Sequence, residues 1–81
     1  MDLYINNLAA STMEDQLQAL FEPFGEVSNI KMNRKSFTKM NKGNAVLSMK
    51  NRDEAVEAMT ALNRTSFNGK KITVNEALPR L

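Results

Sequence analysis

The sequence predicts an α+β fold of order βαββαβ, a four-stranded antiparallel sheet with two helices packed on one face. Three observations predict it. Four short segments place apolar residues at every second position, two segments place them at helical spacing behind helix-start signals, and an Asn-Gly pair precedes the last strand. With 81 residues, 42% hydrophobic and 25% charged, the chain suits one domain spanning residues 1–81.

The elements follow in order. In Asp2–Asn6, Leu3 and Ile5 share one face while Tyr4 and Asn6 share the other, the period of a half-buried strand. Thr12 with Asp15 predicts a capping box ahead of a helix whose apolar stripe is Met13, Leu17, Leu20 and Phe21, and Pro23 and Gly25 end it. A second strand is expected from Val27 to about Asn33, with Ile30 and Met32 inward and Asn29, Lys31 and Asn33 outward. Residues 34–41 lack a period and read as a loop. Gly43–Met49 returns to alternation, with Ala45, Leu47 and Met49 on one face and Asn44, Val46 and Ser48 on the other. Asn51 and Glu54 predict a second capping box and a helix burying Ala55, Ala58, Met59 and Leu62, with Asn63 as its stop. Asn68-Gly69 marks a tight turn, and Ile72 and Val74 a last strand with Thr73 and Asn75 facing the other way. Two helices cover only one face of such a sheet, so the other face is left for solvent or a ligand.

Composition narrows the chemistry. The chain has no Cys and no His, which removes thiol nucleophiles, imidazole bases and Cys/His metal sites. No metal, no other cofactor and no catalytic residue is expected, and an enzyme is not. Among domains of this strand order, a metal carrier would need thiolates and a small phosphatase a phosphate-cradling loop after the first strand. Asn6-Asn7-Leu8-Ala9-Ala10 has neither glycine nor a basic residue. No stretch approaches ~20 apolar residues, and the first residues form neither a secretory signal nor a transit segment. The expectation is a soluble, cytoplasmic protein without membrane contact.

The net charge of +2 hides an uneven distribution. Residues 1–30 carry five acids and no Lys or Arg, whereas residues 31–50 carry Lys31, Arg34, Lys35, Lys39, Lys42 and Lys50 and no acid. A basic block of this kind is often only solvated surface, and an anionic partner is the alternative. Most acids fall on the predicted helices, so the molecule is expected to be negative behind the sheet and positive along the loop edge.

These residues resemble the RNA recognition motif family. Leu3-Tyr4-Ile5-Asn6-Asn7-Leu8 fits the family's six-residue signature in its first strand, and Lys42-Gly43-Asn44-Ala45-Val46-Leu47-Ser48-Met49 keeps the Lys, Gly, Ala and apolar sixth position of its eight-residue signature. The second signature departs at every aromatic place. Leu20–Val27 resembles the family's helix-to-strand corner and Phe67–Ala77 its ending. The resemblance implies a ferredoxin-like βαββαβ sandwich and single-stranded RNA as partner, held by bases stacked on the open face.

The residues expected to meet RNA are Tyr4 as the stacking platform, Lys31, Arg34, Lys35, Lys39 and Lys42 as phosphate contacts, and Phe37 as a loop aromatic that either slides between bases or packs back onto the sheet edge. Val46 lies beside Tyr4 on the same face, and Asn6, Asn44, Ser48, Thr73 and Asn75 complete it with amide and hydroxyl groups that suit base edges and the 2′-hydroxyl. Stacking is worth ~1–3 kcal/mol per base, so the two signature positions held by Asn44 and Val46 remove ~2–6 kcal/mol, roughly 30-fold to 10⁴-fold in affinity. Modest affinity and low sequence specificity follow. The competing reading is a protein-interaction or homodimerising module that uses Tyr4 and Val46 as a small apolar patch.

Overall fold

Strand β1 (Asp2–Asn6) forms where alternation predicts it, with Leu3 and Ile5 fully buried and Asp2, Tyr4 and Asn6 exposed. The computed structural model describes residues 1–35 and 40–77. The expected loop residues Phe37 and Lys39 lie outside the described residues.

Helix α1 (Glu14–Phe21) begins differently from its expected cap. Thr12 is fully buried and accepts a hydrogen bond at its Oγ1 from Asn68 Nδ2 at 3.1 Å. The cap residue is Met13, whose backbone N–H donates to Gln16 Oε1 at 3.0 Å. The shift turns Met13 outward, so the buried stripe consists of Leu17 and Phe21 with Leu20 half-buried. Its first-turn acids, Glu14 and Asp15, suit the positive end of the helix dipole. A short 3-10 turn over Glu22–Phe24, with Pro23 near its start, leads out of the helix.

Strands β2 (Val27–Arg34) and β3 (Asn41–Met49) form an antiparallel hairpin longer than alternation predicted. Arg34 stands opposite Asn41, and the Lys35 N–H donates to the Met40 carbonyl at 2.9 Å. The segment read as a loop therefore begins as ladder on both sides. The inward places there are held by Arg34 and Asn41, polar residues that hide the alternation, and the pairing shifts register between Met32 and Arg34.

Helix α2 (Arg52–Leu62) starts as expected at Asn51, whose Oδ1 accepts from the Glu54 N–H at 3.0 Å, and ends at Asn63. Ala55, Ala58 and Leu62 are buried and Met59 is half-buried. Beyond it β4 (Ser66–Phe67) and β5 (Lys70–Lys71) make a small extra hairpin. Its two turn residues, Asn68 and Gly69, have φ of 52° and 83°, the positive values that a two-residue hairpin turn requires. Strand β6 (Thr73–Glu76) completes the fold.

The four main strands lie in the order β2-β3-β1-β6, every neighbour antiparallel, beside the separate β4-β5 pair. On one face Leu3, Ile5, Ala45, Leu47 and Val74 meet Leu17, Phe21, Ala55, Ala58 and Leu62 of the helices. Burying each large aliphatic or aromatic side chain contributes ~1.5–3 kcal/mol, and this layer holds both helices on one side. Among the described residues no helix is long and apolar enough to cross a membrane.

Candidate nucleic-acid interface

The sheet face opposite the helices is set by the same alternation that builds the core, and strand register arranges its side chains in rows. Tyr4 pairs with Val46 on one side and Asn75 on the other, and Val46 pairs with Lys31. One row thus crosses all four strands as Lys31, Val46, Tyr4, Asn75. Tyr4 is 38% exposed, the only aromatic in that row, and it stands on one of the two central strands. Its ring offers a flat π-face to whatever crosses the sheet.

The adjacent row is polar. Asn6 pairs with Asn44 and with Thr73, and Asn33 reaches across from β2 to donate its Nδ2 hydrogen bond to Asn44 Oδ1. On the other side of the Tyr4 row, Asn29 and Asp2 both pair with Ser48, whose Oγ donates to Asp2 Oδ1 at 2.6 Å. Ser48 is therefore already engaged by an acid. Asn6, Asn44, Val46, Thr73 and Asn75 are brought together on one face, as the sequence predicts.

The cations divide. Lys31 joins the Tyr4 row, and Lys42, at the start of β3, is exposed near the far end of the Asn6 row. Lys35 follows β2 at the same end. Arg34 is not on the open face: it is half-buried on the helix side and forms an ion pair with Glu14 of α1. Alternation with Ile30 and Met32 puts it on that side, opposite Asn41 of the buried face. Positive and negative charge therefore touch at the α1–β2 edge instead of separating cleanly between the two faces. At the opposite end of the hairpin Lys50 pairs with Glu26 at 2.7 Å. The hydrogen bond and charge of Glu26 raise the Lys50 ammonium above its ordinary pKa.

Two features that sequence reasoning missed shape this end of the face. Asn41 is almost fully buried, and its Nδ2 donates to the carbonyls of Ala9, Ala10 and Thr12 at 2.9, 3.1 and 3.0 Å while its Oδ1 accepts from the Gly43 N–H at 2.6 Å. One amide thereby stitches the β1–α1 loop to the start of β3. Lys70, on the β4-β5 hairpin, is carried to the same region. Neither carries a local signal, because each depends on partners distant in the chain. Among the described residues no cluster of three or more acidic side chains is placed to hold a metal ion.

Comparison with known proteins gives the same family for sequence and for structure. The family model described as RNA recognition motif matches residues 3–73. An uncharacterized RNA-binding protein of Schizosaccharomyces pombe is 34% identical over 76 residues, covering 94% of this chain and 26% of that protein. The chain spans 26% or less of the curated relatives it matches. A crystal structure of RNA binding protein PG1 superposes with a TM-score of 0.91 at 28% identity, covering 100% of this chain and 98% of that one. A Sxl-lethal protein/RNA complex superposes with a TM-score of 0.87 at 31% identity, covering 94% of this chain and 47% of that one.

Proposed function

The chain belongs to the RNA recognition motif family, and from that premise we propose that it binds single-stranded RNA across the open sheet face with modest affinity and low sequence specificity. The observation that carries the reading is the row Lys31, Val46, Tyr4, Asn75, in which one exposed ring stands between a cation and an amide. A base stacked on Tyr4 leaves its phosphate within reach of the flanking lysines and its edges open to amide groups. That a 31%-identical neighbour was solved as an RNA complex on the same fold supports the nucleic-acid partner.

The composition of the face sets the strength. Asn44 and Val46 stand where the family's signature has rings, so this face offers one stack where others of its kind offer more, and the lysines supply attraction that any sequence can use. Titration with short mixed-sequence single-stranded RNA at low salt is expected to give a dissociation constant in the micromolar range or weaker, and duplex RNA of the same composition to bind less well. Absence of binding at low salt would overturn the proposal. A protein contact is the second reading, favoured by the direct pairing of Tyr4 with Val46 into an apolar patch, and that outcome would support it.

A further inference from the structure

Of the asparagines in this chain only Asn68 is followed by glycine. In every other Asn-X pair the side chain of X crowds the amide nitrogen that follows the asparagine, whereas Gly69 leaves that nitrogen bare. The turn of the β4-β5 hairpin adds two further conditions. Asn68 and Gly69 are both exposed, and a Cβ placed on Gly69 would meet nothing within 4 Å. Among the described residues the Gly69 N–H donates to no backbone carbonyl, so its proton is open to hydroxide.

The Asn68 side chain also holds the molecule together. Its Nδ2 donates to Thr12 Oγ1 at 3.1 Å and to Gln16 Oε1 at 3.2 Å, which latches the tip of the hairpin onto the start of α1. Gln16 Oε1 accepts at the same time from the Met13 N–H that caps the helix, at 3.0 Å. A carboxylate at position 68 has no hydrogen to give. Thr12 can turn its hydroxyl toward such a group, but Gln16 can meet it only by turning its amide over, which takes the acceptor away from Met13.

We propose that Asn68 is a site of self-modification, at which Gly69 converts the amide to an acid and the hairpin tip is released from α1. The Gly69 nitrogen gives its proton to hydroxide and bonds to Asn68 Cγ, the Cγ–Nδ2 bond breaks, and ammonia leaves with a proton taken from water. Water then opens the cyclic imide on either side of its nitrogen. Cleavage at Cγ yields aspartate. Cleavage at the backbone carbonyl of residue 68 yields isoaspartate, whose main chain runs through Cβ and Cγ and no longer fits a two-residue turn. The latch sets the pace, because cyclisation requires Cγ to swing toward Gly69 while two hydrogen bonds hold the amide toward α1. Release stays local: Asn7 Nδ2 still holds the Lys71 carbonyl, and Ile72 still pairs with Arg64 and Thr65. The site is independent of the open sheet face and of what binds there.

The test incubates the folded wild-type chain at neutral and mildly alkaline pH and follows every asparagine by peptide mass mapping, with Gln16→Ala, Gln16→Glu and Asn68→Asp alongside. Conversion is expected first at Asn68, faster at the higher pH, with aspartate and isoaspartate both formed. Conversion of other asparagines ahead of Asn68 would overturn the proposal, and so would an Asn68 that stays intact while a peptide of residues 64–73 converts. Gln16→Ala should convert at Asn68 several-fold faster than wild type, its other asparagines serving as the check that it is folded. Gln16→Glu keeps an acceptor for both Met13 and Asn68 and should convert at the wild-type rate. Equal rates in Gln16→Ala and wild type would overturn the latch as the control. Asn68→Asp should melt lower and exchange its hairpin amide hydrogens several-fold faster with the sheet amides unchanged, and wild-type exchange in the hairpin would overturn the release from α1.

Discussion

The two faces of this sheet are built from alternate residues of the same strands, yet they answer to different demands. Toward the helices stand Leu3, Ile5, Ala45, Leu47, Met49 and Val74, all buried, and each is constrained by volume and by the absence of any polar group to satisfy. Toward the open side stand Tyr4, Asn6, Asn44, Val46 and Asn75, and nothing in the packing of the helices requires them. The composition of the second face is therefore free to record what the surface meets. A single ring among amides and a lysine is the composition on which the proposed weak, sequence-tolerant contact rests.

The largest effect that sharpens this contrast is on folding. Leu47→Ala on the covered face should cost ~2–5 kcal/mol of stability in denaturant unfolding, with RNA affinity falling only through the unfolded fraction. An affinity loss in the folded protein would mean that the two faces are not independent. Next comes Asn41→Ala, which removes an amide making four hydrogen bonds: the Ala9 and Ala10 carbonyls keep the Thr12 and residue-41 backbone N–H groups, whereas the Thr12 carbonyl loses the buried donor. It should cost about 1–3 kcal/mol in the same measurement. Stability equal to wild type would show that the β1–α1 loop is held by its backbone contacts alone.

On the open face the order reverses, with binding moving more than stability. Tyr4→Ala should weaken RNA binding by ~1–3 kcal/mol, about 5-fold to 150-fold, while the melting temperature shifts little. Val46→Phe, directly opposite Tyr4, should strengthen binding by up to the same amount by adding a second ring to the row. If Tyr4→Ala leaves affinity unchanged in a folded protein, the sheet is not the binding surface and the protein-contact reading takes its place.

Those two substitutions also mark how far the sequence could be read. Alternation at Leu3-Tyr4-Ile5 and Ala45-Val46-Leu47 was enough to assign every residue to a face, because a period of two leaves no other arrangement once one side is buried. The cap at Asn51, the helix stop at Asn63 and the turn at Asn68-Gly69 were legible for the same local reason: each is a backbone feature set within a few residues. Arg34 was not. Alternation from Ile30 and Met32 gives its side, but a charged residue at that position reads as loop, and its partner Glu14 lies 20 positions away. Asn41 reads in the sequence as one more loop amide, although it is buried by contacts 29–32 positions distant. The β4-β5 hairpin has strands of two residues, too short to show a period, and so the position of Lys70 beside Lys42 emerges only from the fold.

The smallest effect separates lysines that resemble one another in the sequence. Lys31 and Lys50 both belong to the block of cations between residues 31 and 50, yet Lys31 lies in the Tyr4 row whereas Lys50 is exposed at the hairpin's far end with Glu26. A single-stranded RNA complex releases counterions in proportion to the phosphates neutralised, with a logarithmic slope of about −0.7 for each. Lys31→Ala should flatten the slope by about that amount and weaken all sequences alike. Lys50→Ala should leave it unchanged, since its charge is already matched by Glu26 and lies off the path across the sheet. Equal slopes for the two variants would mean that RNA senses only the net charge of the block, and the row geometry around Tyr4 would then have no part in placing the backbone.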